Sequence, residues 1–303
     1  MKLILGTRGS DLALAQSRMV RDGLLALHPG LEVELKIITT TGDARTAMPL
    51  HEPTAEGAGL FTKQLEEALL SREIDLAVHS LKDLPIETPE GLVLPAILPR
   101  APVADLLVSR HPGGVAGLPL GASVGSSSPR RALLLQERRP DLKLVPIRGN
   151  VPTRIAKVAD ASYDATVLAE AGLTRLGHDF SEGTLLSGEQ TLFLEPLRWM
   201  LPAPGQGAVA VETRRNDPAE AIVSVLHDPV TSRCVGAERL VLKHLGGGCH
   251  LALGALALEQ QGMMSLKAFF IPDQHDRRSL RSAEAVAPTP EEAARLVASK
   301  LLS

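Results

Sequence analysis

The chain has 303 residues, a formal net charge of −3 and only two cysteines, and its hydrophobic fraction of 44% is typical of a soluble globular protein with two or three domains. This charge gives no reason to expect nucleic acid as a partner, two cysteines cannot make a disulfide framework, and no apolar run reaches the roughly 18 residues of a membrane span. We therefore expect a cytoplasmic protein that does not contact membranes.

The first third of the chain alternates between strand and helix patterns. Apolar runs predict the strands, apolar residues at helical spacing predict the helices, and Ser10 is the expected N-cap of the first helix. The predicted elements are a strand at 2–6, a helix at 11–27, a strand at 31–38, a helix at 61–71 and a strand at 74–80. Such alternation predicts a mostly parallel sheet covered by helices on both faces.

A Pro-rich segment at 95–102 leads into a second run of the same kind. Its predicted elements are strands at 105–109, 122–125, 142–147 and 163–170 and a helix at 129–139. Gly6 in the first run corresponds to Gly125 in the second, and Asp75 corresponds to Asp164. These short matches predict twin α/β domains.

A second Pro/Gly cluster at 202–207 introduces a returning strand at 208–212, after which the pattern changes. The tail is predicted to contain a helix at 231–245, strands at 251–258 and 265–271, and a final helix at 291–302. The predicted domains are residues 1–98 with 200–216, residues 99–199, and residues 217–303. The third of these is a small α+β domain.

Four loops join small or hydroxyl residues to Arg or Lys, and each follows the carboxyl end of a predicted strand. They are GTRGS (6–10), HSLKD (79–83), GSSSPRR (125–131) and RGNVPTR (148–154). Open α/β sheets bind ligands at this edge, and guanidinium groups pair with carboxylates through two parallel hydrogen bonds. The loops therefore predict a crevice for a polyanion, in which the carboxylate of Asp83 is suited to stabilising developing positive charge.

Three other patterns were weighed against simpler explanations. The run 205–210 matches the dinucleotide fingerprint GxGxxA, but it leads into a strand instead of following one. Cys234, His244, Cys249 and His250 have no standard zinc spacing, so we predict no metal site. Cys234 fits a small core residue of a helix, whereas Cys249 follows three glycines that leave open space around its thiol.

Together the motifs resemble the hydroxymethylbilane synthase family, also called the porphobilinogen deaminases. The stretches that carry the resemblance, in the order and spacing of the family, are GTRGSDLALAQ, AVHSLKDLP, VGSSSPRR, IRGNVPTR, AGLTRLG, PGQGA and GGGC. The resemblance implies two domains like those of periplasmic binding proteins, a third domain, and an active site between the first two. It further implies a transferase of heme biosynthesis that joins four porphobilinogen molecules head to tail with loss of ammonia and releases hydroxymethylbilane.

The resemblance also assigns roles to residues. Cys249 matches the cysteine that holds a dipyrromethane cofactor by a thioether, and Asp83 with Lys82 matches the catalytic group that stabilises cationic intermediates. The other matches to cofactor- and carboxylate-binding positions are Arg8, Ser10, Ser80, Ser127, Ser128, Arg130, Arg131, Arg148, Gly149, Arg154, Arg175 and Gln206. The implied partners are porphobilinogen and the growing pyrrole chain, and we expect a monomer.

The chain departs from the family pattern in two places. The family usually has Gly-Lys-Gly-Leu-Phe where this chain has GAGLF at 57–61, so Ala58 replaces a lysine and no role of that lysine carries over. Residues 250–253, HLAL, also differ from the usual continuation after the cysteine.

Two functions of other classes remain as alternatives. The twin-domain pattern alone allows a binding module for an anionic solute without catalysis, but such a module gives no reason for Asp83 or for a third domain that presents Cys249. A hydrolase with Cys249 as nucleophile and His250 or His244 as base is the other hypothesis, and it lacks an oxyanion-hole motif.

Overall fold

Three β-sheets, each with its own helices, build the protein. The computed structural model describes residues 1–39, 62–247, 251–273 and 279–303, which form sheets of five, six and three strands. No helix within these ranges is both long enough and apolar enough to cross a membrane. The predicted fold class, two α/β domains followed by a small α+β domain, is confirmed.

The first domain is a five-stranded sheet flanked by helices. Its elements are β1 (Lys2–Thr7), α1 (Asp11–Leu27), β2 (Glu32–Ile37), α2 (Lys63–Leu70), β3 (Leu76–Ser80), β4 (Leu92–Ile97) and, from later in the chain, β11 (Val209–Arg214) and α7 (Pro218–Ser224). The strand order is β2-β1-β3-β11-β4, in which β1, β2 and β3 run parallel and β11 is antiparallel to both of its neighbours. Helix α1 begins where predicted, because the Ser10 hydroxyl accepts a hydrogen bond from the amide of Ala13.

The second domain repeats this arrangement. Its elements are β5 (Asp105–Ser109), α3 (Gly114–Gly117), β6 (Ser123–Gly125), α4 (Pro129–Arg138), β7 (Lys143–Val145), α5 (Val151–Ala159), β8 (Ala165–Ala169), α6 (Glu170–Arg175), β9 (Thr184–Ser187) and β10 (Gln190–Pro196). The strand order is β7-β6-β8-β5-β10-β9, with β6, β7 and β8 parallel and β5 antiparallel to its neighbours. In the sheets of the first and second domains, therefore, three neighbouring parallel strands are followed by one antiparallel strand. That strand, β11 or β5, comes directly after a segment that crosses between the two domains.

One repeated hydrogen bond supports the correspondence between the two domains. Asp75, just before β3, accepts a hydrogen bond from the amide of Ile4 at 2.8 Å. Asp164, just before β8, accepts one from the amide of Ser123 at the same distance. Ile4 and Ser123 each lie two residues before the matched glycines, Gly6 of β1 and Gly125 of β6. The sequence correspondence therefore reflects an equivalent hydrogen bond in the two domains.

The third domain is an antiparallel sheet with helices on one face. Its elements are α8 (Pro229–His244), β12 (Ala252–Gln260), β13 (Met263–Ile271), β14 (Arg281–Ala287) and α9 (Pro290–Leu302). Val241 of α8, Leu266 of β13 and Val297 of α9 share its core. On the opposite face, Phe269 and Ile271 pack into the core of the second domain, so the third domain is not an independent appendage.

The described part of the chain contains elements that the sequence patterns did not predict. Strand β4 lies partly inside the Pro-rich segment 95–102, and Pro95 is tolerated there because β4 is at the edge of the sheet. The hairpin of β9 and β10 turns through Gly188, whose φ is +62°. Strand β14 was also not predicted.

Helix α7 packs with the first domain although it lies after residue 217. Ala219 and Val223 are fully buried in the same core as Leu5 and Leu76. We therefore propose to place the boundary of the third domain near Asp228, the N-cap of α8, instead of at residue 217.

A buried ion pair fastens the third domain to the segment that crosses between the other two. The guanidinium of Arg100 pairs with both carboxylate oxygens of Glu238 in α8, at 2.7 and 2.9 Å. Glu238 is fully buried and also accepts from the amides of Gly205 and Ala257. Because every oxygen of this carboxylate is satisfied, the pair holds α8 against both crossing segments.

Candidate active site

A cleft of about 330 Å³ lies where all three domains meet. The first domain contributes Lys82 and Asp83, and the second contributes the run 127–131 at the start of α4. The crossing segment contributes Gln206, and the third domain contributes Leu251 among other apolar residues. Of the four predicted polyanion loops, HSLKD (79–83) and GSSSPRR (125–131) therefore line this cleft.

Asp83 is carried on a short turn directly after β3. The turn is a 3₁₀ helix, Leu81–Asp83, and it is anchored because the Leu81 side chain is fully buried and its amide donates to the carbonyl of Ala208 at 3.1 Å. The side chain of Asp83 itself is exposed in the cleft. A buried anchor next to an exposed carboxylate gives a fixed backbone with an accessible charge.

Asp83 also borders a second, smaller cavity of about 80 Å³. Its lining includes Arg8, Ser10, Gln16, Ser80 and Asp83. Ser80 and Gln16 hydrogen-bond to each other at 2.9 Å, and the hydroxyl of Ser10 is used as the N-cap of α1. Asp83 thus stands between two neighbouring polar sites, one with Arg8 and the other with the arginines of α4.

Arg130 and Arg131 are buried and share one carboxylate that the sequence analysis did not single out. Asp105, at the start of β5, is fully buried; its Oδ2 lies 2.7 Å from Nη1 of Arg130, and its Oδ1 lies 2.7 Å from Nη2 of Arg131. Burial opposes ionisation of Asp105, but the charges of Arg131 and Arg130 outweigh it and hold the pKa of Asp105 well below its usual range. Nη1 of Arg130 also donates to the carbonyl of Leu201 at 2.7 Å, and Arg130 lines the cleft.

Local structure explains why the two arginines point into the cleft. Pro129 and the Ser128 N-cap start α4, and the hydroxyl of Ser128 accepts from the amide of Arg131 at 3.5 Å. Ser127 is held by the loop before α5, since its hydroxyl donates to the carbonyl of Ile147 at 2.8 Å. The helix N-terminus and its arginines together form a site for anions.

Gln206 links these arginines to the turn that carries Asp83. Its amide nitrogen donates to Asp105 at 2.9 Å, and its amide oxygen lies 3.3 Å from Nζ of Lys82. Burial, together with the charge of Arg131, lowers the pKa of Lys82 to about 8, and the charge of Asp83 opposes this shift. Lys82 can therefore lose or gain a proton near neutral pH.

The remaining predicted residues line neither cavity. Arg154 is half-buried, donates to the carbonyl of Gly149 at 2.8 Å, and has its pKa lowered by burial and by the charge of Arg131. Gly149 has a φ of +114°, and a Cβ there would lie 2.6 Å from Thr153, so a glycine is required. Arg148 is half-buried in the same loop, and Arg175 donates to the carbonyl of Gly207 next to Gln206.

Cys249 and Ala58 lie outside the described residues. The chain is described up to Gly247 and again from Leu251. Gly246 and Gly247 have φ values of +93° and +71°, a conformation that glycine adopts without strain, and Leu251 lines the cleft.

Two other groups at the cleft were not identified from the sequence. Arg239 of α8 lines the cleft, and it belongs to none of the sequence motifs described above. The apolar wall of the cleft includes Ile86, Leu242 and Leu253 from distant parts of the chain, and only the fold brings them together. Asp105 is the exception, because a charged residue at the start of the apolar strand DLLVS is a sequence feature that could have drawn attention to it.

Comparison with known proteins gives consistent matches along the chain. The family described as porphobilinogen deaminase, dipyromethane cofactor binding domain, matches residues 3–221, and the porphobilinogen deaminase C-terminal domain matches residues 232–303. The porphobilinogen deaminase of Rubrobacter xylanophilus is 46% identical over 302 residues, covering 99% of this chain and 94% of that protein. The porphobilinogen deaminase of Syntrophobacter fumaroxidans is 44% identical over 263 residues, covering 86% and 82%. Among solved structures, the Bordetella pertussis BvgS periplasmic VFT2 domain is 17% identical, with a TM-score of 0.40 over 75% of this chain and 85% of that one.

Proposed function

The chain belongs to the porphobilinogen deaminase family, and on that premise we propose that the cleft around Asp83 is its active site and that Cys249 anchors its cofactor. The reaction joins four porphobilinogen molecules head to tail, with loss of one ammonia each, and water releases hydroxymethylbilane. The observation that carries the assignment of the site is the placement of Asp83 between two arginine-bearing cavities.

The residues of the cleft fit a dipyrromethane. Each of its pyrrole rings carries acetate and propionate arms, and the cleft offers Arg130, Arg131 and Lys82 to such carboxylates. The lining of the cleft also includes the apolar side chains of Ile86 and Leu242, which suit the faces of the rings. When bound, the dipyrromethane supplies the free pyrrole carbon to which the first substrate is joined.

The arginines bind and orient the carboxylate arms. Asp105 takes up one positive charge of the Arg130–Arg131 pair and cannot be displaced, because it is fully buried. A substrate carboxylate therefore binds beside Asp105, on the donors that remain. Arg8 in the second cavity gives the neighbouring ring an equivalent partner.

Asp83 stabilises the positive charge that develops when ammonia leaves and the next pyrrole attacks. Its exposed carboxylate faces both cavities, and Lys82 beside it has a pKa of about 8, so it can hold or release a proton within reach of the reacting groups. Asp83 therefore stabilises the charge of the intermediates, while the arginines hold the carboxylate arms of the substrate in position.

The alternative of a binding module without catalysis is not favoured. Such a module would need the cationic lining of the cleft but has no use for Asp83 at its centre. We also propose a monomer that works in the cytoplasm without nucleic acid or membrane partners. The net charge of −3 and the buried free thiol of Cys234 support this part of the proposal.

The proposal is tested by supplying the purified protein with porphobilinogen. We expect ammonia and linear tetrapyrrole to form in a molar ratio of four to one. An ammonia assay measures the first product, and absorbance after cyclisation and oxidation measures the second. Binding of porphobilinogen without release of ammonia would contradict the proposed function and would favour the binding module.

Two arginine variants separate binding from stability. Arg131→Leu should lower the free energy of unfolding by about 3–5 kcal/mol, because it leaves the buried carboxylate of Asp105 without one of its two charged partners, and it should also impair cofactor assembly. Arg154→Leu removes only a bond to the carbonyl of Gly149 and a cation near the cleft, so it should raise KM with little change in stability. Chemical denaturation and steady-state kinetics measure the two effects.

Arg233→Leu is the matched control for both. Arg233 is exposed and pairs only with Glu259 at the surface, so we expect near-normal kinetics and stability. Equal effects at Arg154 and Arg233 would show that bulk charge, and not a site, had been identified.

A further inference from the structure

One face of α8 lies along the segment that carries Asp83, here defined as residues 81–87 and called the Asp83 segment. Val235, Arg239 and Lys243 are spaced four residues apart in α8, so they share this face. Val235 packs into the same core as the apolar side chains of the Asp83 segment, and Nζ of Lys243 lies 2.9 Å from the carboxylate of Glu87. Arg239 stands between these two contacts.

The guanidinium of Arg239 donates hydrogen bonds to the backbone of the Asp83 segment. Its Nη1 donates to the carbonyls of Leu81 and Leu84 at 3.2 and 3.1 Å, and its Nη2 donates to the carbonyls of Pro85 and Ile86 at 2.5 and 3.4 Å. These acceptors lie on both sides of Asp83. A planar guanidinium with a fixed fork of donors can serve several carbonyls at once, which an ammonium cannot do in the same geometry.

The other main-chain hydrogen bonds of the Asp83 segment lie near its beginning. The amide of Leu81 donates to Ala208, and the amide of Leu84 donates to Leu81 within the turn. The carbonyls of Pro85 and Ile86 lie beyond these bonds. The orientation of Asp83 toward the cleft therefore depends on Arg239 as well as on the buried Leu81.

The same helix leads to the cofactor loop. Helix α8 ends at His244, and Gly247 approaches the Asp83 segment so closely that a Cβ there would lie 3.3 Å from Cδ1 of Ile86. One helix thus contacts the catalytic turn along its length and delivers the glycines that precede Cys249.

We propose that Arg239 is a positioning residue, which sets the carboxylate of Asp83 in register with the rings carried by the third domain. This inference rests on the proposed function, because it takes Asp83 as the catalytic group. Arg239 acts through Asp83, so its loss lowers kcat and leaves the binding of substrate largely intact.

Arg239→Gln is the first test, with Arg233→Gln on the same helix as control. We expect Arg239→Gln to fold, to carry its cofactor by intact mass, and to show kcat lowered about 10–100-fold with KM changed less than about threefold, since small misplacement of a catalytic group has effects of this size. Arg233→Gln breaks only an exposed pair and should match the wild type.

Hydrogen–deuterium exchange gives a readout that does not depend on activity. Peptides that span the Asp83 segment should exchange faster in Arg239→Gln than in the wild type, while peptides from the sheet of the third domain should not. If folding of Arg239→Gln fails, Arg239→Ala supplemented with millimolar guanidinium ion serves instead. We expect the ion to raise the kcat of Arg239→Ala toward the wild-type value and to leave the kcat of Arg233→Gln unchanged.

Three results would overturn the proposal: unchanged kcat, a raised KM with normal kcat, or loss of the cofactor from Arg239→Gln. A raised KM would make Arg239 a carboxylate-binding group, and loss of the cofactor would make it part of cofactor assembly. Failure of the proposed function is recognised separately, because the wild type would then release no ammonia from porphobilinogen. Normal turnover by Asp83→Asn would withdraw the role of Asp83 without any measurement on Arg239.

Discussion

Asp83→Asn is expected to lower kcat by about 10²–10³-fold while the protein keeps its fold and its cofactor. Asparagine has the size of aspartate and retains hydrogen bonding, but it lacks the negative charge that the cationic intermediates require. The backbone of the turn should not change, because it is held by the buried Leu81 and by the bonds of Arg239 to main-chain carbonyls. The substitution should therefore lower the rate of the chemical step and leave folding unchanged.

Binding should follow a different course in the same variant. The groups that hold the carboxylate arms are cations, and removal of a nearby negative charge makes the cleft more positive. Substrate binding should survive or tighten, and enzyme species heavier by one or more substrate units should accumulate. A native gel or an intact mass spectrum after addition of porphobilinogen shows these species.

Asp22→Asn is the control for Asp83→Asn. Asp22 is exposed on α1, pairs with Arg21, and lines neither of the two cavities. We expect it to turn over normally. Near-normal turnover of Asp83→Asn, or a variant that no longer binds substrate, would assign the catalytic charge to another group.

The sequence points to a ligand-binding edge because the fold contains parallel strands. The loops with Arg8 and Asp83 follow parallel strands of the first sheet, and the loop with Ser127 follows a parallel strand of the second, so each loop lies at the carboxyl edge of its own sheet. A pattern that is local in sequence was therefore sufficient to place each loop at a ligand-binding edge, whereas the packing of the domains brings Asp83 and Ser127 to the same cleft.

Partners that are distant in sequence could not be predicted in this way. Arg239 lies more than 150 residues from the carbonyls it binds, and those carbonyls carry no sequence signature. Asp105 lies 26 residues before Arg131, and only the packing of β5 against α4 brings them together. The sequence treated Arg130 and Arg131 as free ligands for substrate, whereas the structure shows that each already holds a protein carboxylate.

The strands that the patterns missed have local causes. Pro95 argues against a strand at β4, because proline has no backbone N–H to donate. That N–H is dispensable here, since β4 is an edge strand. Strand β11 was predicted, but its place between β3 and β4 was not, since an antiparallel insertion from a later part of the chain leaves no periodic signal.

Cys249→Ser is expected to abolish both the covalent adduct and the activity. Protein purified from cells that make porphobilinogen should weigh more than its chain by a two-pyrrole unit, and this increment should be missing from the variant. A serine hydroxyl is far less nucleophilic than a thiolate, so it should not form the corresponding link. Intact mass spectrometry under denaturing conditions measures the increment directly.

Cys234→Ser is the control, because the chain offers only one other thiol. Cys234 is buried in the core of the third domain, and burial, together with the charge of Glu238, raises the pKa of its thiol. A thiol that is both inaccessible and harder to ionise is a poor nucleophile. Cys234→Ser should therefore keep the mass increment and most of the activity, with at most a modest loss of stability from the core.

The two variants also separate the anchor from the site. If Cys249 is only the anchor, Cys249→Ser still has Arg130, Arg131 and Lys82 in its cleft, and it should bind added porphobilinogen reversibly without retaining it in a denaturing mass spectrum. A wild-type protein that is fully active without the increment would contradict the covalent anchor, and an increment that persists in Cys249→Ser but is lost in Cys234→Ser would move it to the other thiol. Loss of reversible binding in Cys249→Ser would instead mean that residue 249 shapes the cleft itself.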